Sequence, residues 1–163
     1  MSDFIAPAEV ISVARRGMIS GNDCVVDAKV ADTDMPAGVL VSAGANQYGC
    51  KLPAAAADVT TKALGVTTYL ALREPNTSNE YLATDVVNFL KNGEVWGIVE
   101  GAVTEGNAVY ARISSSANGT QLGAFRADAD TISTVDHATL VPNAKFKTTT
   151  TGAGVAKIGV VFT

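Results

Sequence analysis

Short apolar runs with a two-residue alternation recur along the chain, and clusters of Gly, Pro, Asn, Asp and Ser separate them. That period marks strands with one buried face, and apolar residues at helical spacing are almost absent. The pattern predicts strands over residues 24–30, 39–43, 48–52, 64–72, 86–90, 94–99, 108–113, 123–126, 144–149 and 155–162. One helical turn is expected at PAAAAD (53–58), with Pro53 at the helix start and Asp58 too late to cap it. Many short strands with regular punctuation imply an all-β fold, a small β-barrel or β-sandwich.

The strongest local signal is KNGE at 91–94. Asn92 and Gly93 tolerate positive φ and are flanked by VVNFL and VWGIV, so the pattern predicts a two-residue hairpin turn there. MPAG (35–38), REPNTSN (73–79), SSSANG (114–119) and TTTTGAG (148–154) read as loops, where surface function would sit. SGNDCVV (20–26) and ALGV (63–66) are echoed by EGNAVYA (105–111) and KIGV (157–160), which suggests two related β halves. Residues 1–20 read as an extended N-terminal arm preceding a single β-rich domain over 21–163. The arm is apolar at Phe4, Ile5, Val10, Ile11 and Val13, and Pro7 interrupts any continuous ladder. An edge strand of the same domain is the alternative for this segment.

Composition narrows the interior and the partners. Of 163 residues 26 are Ala, so a core must be thin and Val-rich, and charged residues supply only 17%. Net charge is −4 and no basic run exceeds Arg15–Arg16, which argues against a surface that tracks phosphates, hence against direct nucleic-acid binding. Asp3 and Glu9 fall where a secretory signal needs a basic then unbroken apolar stretch, and no long apolar run suggests a membrane span. The two cysteines, Cys24 and Cys50, form no CxxC pair, and the expectation is two free thiols in a reducing cytoplasm.

Site chemistry is sparse. Phosphate-loop, dinucleotide, HExxH and GxSxG patterns are missing, and no cofactor is expected. DTD (32–34) and DAD (128–130) mimic the opening of a calcium loop but lack its later ligands, so they read as surface carboxylates. His137 is the only histidine and reads as a loop residue without a catalytic partner, although a hydrolase built on two carboxylates stays open. Trp96 suits a packed strand better than a ligand platform.

AVTEGNAVYAR (102–112), LGAFRADAD (122–130) and AKFKTTTTGAGVAKIGVVFT (144–163), with PAGVLVSAG (36–44) and KALGV (62–66), resemble the capsid cement, or head decoration, proteins of tailed bacteriophages. The resemblance implies a non-enzymatic homotrimer on the outer surface of an expanded head, made in the bacterial host cytoplasm and bridging major capsid protein subunits. It also implies that the arm grips the capsid or a neighbouring protomer, which maps onto Phe4, Ile5, Val10, Ile11, Val13, Arg15 and Arg16. A carbohydrate- or protein-binding β module of a tail or fibre is the alternative.

Overall fold

The computed structural model describes residues 14–69 and 80–163. Its elements in chain order are β1 (Ile19–Ala31), β2 (Met35–Pro36), β3 (Leu40–Ala43), β4 (Gly49–Lys51), α1 (Ala56–Thr60), β5 (Ala63–Thr67), β6 (Glu80–Tyr81), β7 (Val86–Val99), β8 (Ala108–Arg112), β9 (Phe125–Arg126), β10 (Thr131–Ile132), β11 (Val135–Asp136), β12 (Ala138–Phe146) and β13 (Gly154–Val161). The fold is all-β and sandwich-like, as the alternation predicts.

Nine strands form one sheet in the order β1-β4-β3-β5-β7-β13-β12-β8-β9, and β1 and β9 each pair again with β7. The result is two rings of strand pairing that share β7. One runs β7-β1-β4-β3-β5, the other β7-β13-β12-β8-β9. Neighbours around a ring can all be antiparallel only if their number is even. Each of these rings has an odd number, and each contains one parallel pair, β1–β4 in the first and β7–β9 in the second. The echoed segments ALGV and KIGV lie on β5 and β13, the strands that flank β7 on its second edge.

This sharing explains why KNGE is not a hairpin. Residues 86–99 form one continuous strand because partners engage it through the turn-like segment: Asn92 pairs with Val25 and Val161, and Glu94 with Ser20 and Gly159. The conformational freedom of Gly93 (φ 130°) serves an irregularity within the strand. Consecutive Val25 and Val26 oppose Asn92 and Leu90, so Lys91 is an extra, bulged residue. A long strand with two paired edges outweighs a local turn propensity.

Two further differences have similar causes. β12 begins at Ala138, earlier than the pattern suggests, because a bulge carries Pro142 and the left-handed Asn143 (φ 56°) between the pairs Leu140–Tyr110 and Lys145–Ala108. α1 starts at Ala56, after Pro53, and, as expected, Asp58 does not cap it but binds the segment before it. Its Oδ2 accepts the Ala54 N–H (3.0 Å) and the Lys51 ammonium (3.0 Å).

The main core joins Leu40, Val66, Leu90, Val95, Val99, Val109, Phe125, Phe146 and Ile158, mostly within the second ring. A smaller cluster of Met35, Val41, Cys50, Tyr81, Val87 and Phe89 fills the first. Adjacent Phe89 and Leu90 face different clusters, so this stretch of β7 is buried on both sides. Val is the commonest buried hydrophobic, as the composition requires.

Cys24 is exposed, Cys50 is buried, and the two are unpaired. Burial, with the nearby Asp32 charge, pushes the Cys50 thiol up to about 11 against the opposing effect of Lys29. We expect a thiol reagent to label Cys24 in the native protein and Cys50 only on unfolding, with no effect of reductant on Tm. A native mass two hydrogens below the calculated value would count against this.

Candidate interaction surface

The N-terminal segment joins the body at a pinned turn. The Met18 N–H donates to Arg15 O (3.0 Å), which closes a turn with Gly17 at its third position and a left-handed φ of 75°. Only glycine fits there, since a Cβ would lie 2.6 Å from the Tyr69 nitrogen. The Gly17 N–H donates to Trp96 O (2.7 Å), Tyr69 N–H to Gly17 O (2.8 Å) and Trp96 N–H to Met18 O (2.9 Å). Arg15 donates to the Tyr69 hydroxyl (2.9 Å) and lies 5.7 Å from that ring's centroid. Arg16 is exposed and lines a groove of about 550 Å³ with Ile98, Val99, Gln121 and Val155. Of the predicted contact residues, Phe4, Ile5, Val10, Ile11 and Val13 lie outside the described residues. Arg15 binds its own chain, and Arg16 faces outward.

A second feature sits at the far end of the second ring. Arg112 on β8 is fully buried, and its Nε donates to both Glu100 oxygens (2.7 Å each) while Nη2 donates to Asp130 (2.9 Å). Asp130 also accepts from Ser116 and from Asn118 Nδ2 (2.6 Å), and Arg126 Nη1 lies 3.1 Å away. Burial alone would raise the Asp130 pKa. Hydrogen bonds from Asn118, Ser116 and Arg112, with the Arg126 charge, outweigh it and hold the carboxyl well below the ordinary range. DAD is therefore not a pair of surface carboxylates: Asp128 is exposed, but Asp130 is an internal anchor.

That anchor roots a short hairpin. β10 follows Asp130, and the turn to β11 places Ser133 (φ 48°) and Thr134 (φ 71°) in the left-handed region. Thr is strained there, since a β-branched side chain crowds the backbone at positive φ. Ile132 and Val135 pair across the turn, both exposed. The return is held by His137, whose N–H donates to Ala129 O (3.1 Å). His137 also has a side-chain partner that sequence reasoning missed, with Nδ1 2.8 Å from Ser114 Oγ. Asp136, the neighbouring acid, accepts from the Thr131 hydroxyl, so this pair is not extended into an acid–histidine–serine relay. Among the described residues, no group of three or more His, Cys, Asp or Glu is placed to hold a metal ion.

A family model described as structural cement protein (E217 gp24/Pam3 gp6) matches residues 5–161. The chain belongs to this cement protein family. A solved chain from the capsid of Myoviridae phage XM1 shares the fold, with a TM-score of 0.69 and 20% identity over 94% of this chain and 95% of the other. No curated protein matches. The resemblance read over most of the chain from about Gly17 onward is borne out, and the chain's role is structural.

For a cement protein, the informative surfaces are those that a lone domain leaves uncovered. β1 is exposed over residues 23–28, pairs there, among the described residues, only with β7, and meets β4 at Val30 and Ala31. Val25 is 53% exposed and Val26 45%. Nearby, Val30, Val86 and Tyr48 line a shallow depression with Asp27 and Lys29. The Ala28 N–H is taken by the Asp27 carboxylate (2.8 Å), a local device that blunts part of an open edge. Sequence reasoning could not find this edge, because exposure depends on which strands pair. No helix of the structure is long and apolar enough to cross a membrane, among the described residues.

Proposed function

We propose that this cement protein binds the outer surface of an expanded phage head and stabilises it by bridging neighbouring major capsid protein subunits, without catalytic activity. The observation that carries the reading is the family match across nearly the whole chain. The phage-capsid source of a structure sharing the fold supports it. The chain is made in the host cytoplasm and joins the virion as a homotrimer, with residues 4–16 as the grip on the capsid or on a neighbour. A cyclic trimer suits a domain with an open strand edge, because closure covers the edge and prevents open-ended association.

The test is to add purified protein to expanded heads that lack it. Occupancy at discrete sites on the outer surface, with a rise in the temperature at which heads release DNA, is the expected result. Binding to tails or fibres alone would overturn the assignment.

A further inference from the structure

We propose that the β10–β11 hairpin is a capsid contact, its tip at residues 132–135 seating in an apolar cleft of the major capsid protein that is rimmed by Lys or Arg. The proposal rests on the capsid-binding reading above and names the surface that does the binding.

The hairpin is a two-stranded sheet of its own, outside the nine-stranded one. Residues 131–136 are all exposed, and neither Ile132 nor Val135 joins a core cluster. The two pair directly across the ribbon, so they share one face. A ribbon this short is marginal in water, and its turn adds strain. Ser133 and Thr134 hold the two central positions at φ 48° and 71°, where Asn-Gly fits best and a β-branched residue fits poorly. With Asp130 (φ 49°), the hairpin and its root hold three of the five left-handed non-glycine residues among those described. Both legs are nevertheless fixed. Asp130 is bound by the buried Arg112, and on the return the Ala138 N–H donates to Ala129 O (2.9 Å). Folding of the domain explains this root, but it explains neither the exposed apolar pair nor the strained residues at the tip.

Charge points to the partner. Residues 127–144 contain three Asp and no Lys or Arg. Asp130 is buried and Asp128 is paired with Arg126 (2.8 Å), while the exposed Asp136 has no cationic partner among the described residues. A basic rim would therefore complement the hairpin, whereas two hairpins facing each other would set Asp136 against Asp136. Two residues per strand also offer far less area than the roughly 1,200 Å² of a stable complex, so the hairpin adds one contact to a chain held at other points as well.

Binding to expanded heads that lack the protein tests the contact, with Tm and sedimentation measured on every variant. Ile132→Thr with Val135→Thr keeps both positions β-branched and should raise the apparent Kd for heads at least about tenfold at unchanged Tm and unchanged self-association. Ser133→Asn with Thr134→Gly relieves the turn, so Tm should rise while head binding weakens. Asp136→Lys should weaken binding, and the wild type should lose affinity as salt rises. The proposal is overturned if the double variant at 132 and 135 decorates heads like the wild type, or if the one at 133 and 134 gains stability with full occupancy. Full binding by Asp136→Lys would remove the basic rim. Variants that lose self-association but keep their head affinity would give the hairpin to a second copy and overturn the capsid contact. A wild type that fails to bind heads refutes the cement reading itself, whereas a binding wild type with indifferent variants refutes only the hairpin.

Discussion

Arg112→Met should be among the most destabilising single substitutions in the body of the domain. The guanidinium is fully buried and satisfies Glu100 and Asp130, whose side chains are only 9% and 2% exposed. Methionine fills similar space but leaves two carboxylates with far less compensation. Breaking a buried pair by removing one partner costs about 3–5 kcal/mol. Against a total stability of about 5–15 kcal/mol, that is a large share, and it corresponds to a fall in Tm on the order of 10 °C for a chain of this length. Arg112→Lys should lie between the two, since an ammonium keeps the charge but cannot present the guanidinium's fork.

The pH dependence gives this prediction its sign. In the wild type the Asp130 pKa is depressed, so the stability it contributes is present above the ordinary Asp range and is lost as pH falls through its folded value. In Arg112→Met one of the groups that hold the carboxylate charged is gone, while Asn118, Ser116 and Arg126 remain, so burial acts on Asp130 with less opposition, its pKa rises and the carboxyl takes up a proton more readily. The stability gap between the two proteins should therefore narrow on acidification from pH 7 towards pH 4. Chemical denaturation across that range measures it. A gap that stays constant, or widens as pH falls, would show that the ion cluster is not the source of the loss.

That cluster also shows where sequence reading stops. Alternation located most strands because each has a face that must be buried, and 155–162 differs from β13 only at its ends. The same signal failed at 91–94 because a turn-prone dipeptide is also suited to a bulge, and only the partners of β7 decide between them. Pro142 hid the start of β12 for the same reason. Asp128 and Asp130 stand two apart in RADAD, yet one is exposed and the other lies beneath Arg112, which is distant in sequence. Arg112 ends a strand, and nothing in its neighbours distinguishes it from a solvated arginine. The family was legible because it rests on extended segments. The exposed edge was not, since it is defined by which strands lie side by side.

Deleting residues 2–13 should leave the domain folded and largely abolish decoration of heads. Among the described residues, both core clusters are built from Ile19 onward, and the turn at Arg15–Met18 is fixed by hydrogen bonds to Trp96 and Tyr69 that the deletion retains. Little stability is therefore expected to be lost, and Tm should stay within about 2 °C, a shift that corresponds to less than about 1 kcal/mol for a chain of this size. Binding is a different matter. Phe4, Ile5, Val10, Ile11 and Val13 supply the apolar area a docked segment would bury, and that burial together with backbone pairing must offset the cost of ordering the segment. A net of even about 3 kcal/mol is more than a hundredfold in Kd. An extended segment can also add backbone hydrogen bonds to a partner's sheet edge, with Pro7 interrupting the ladder. Occupancy of expanded heads, counted from images over a titration of the truncated and full-length proteins, reads the effect. A truncated protein that unfolds would make the segment an integral strand of its own domain, and one that decorates heads as well as the full chain would remove it from the interface.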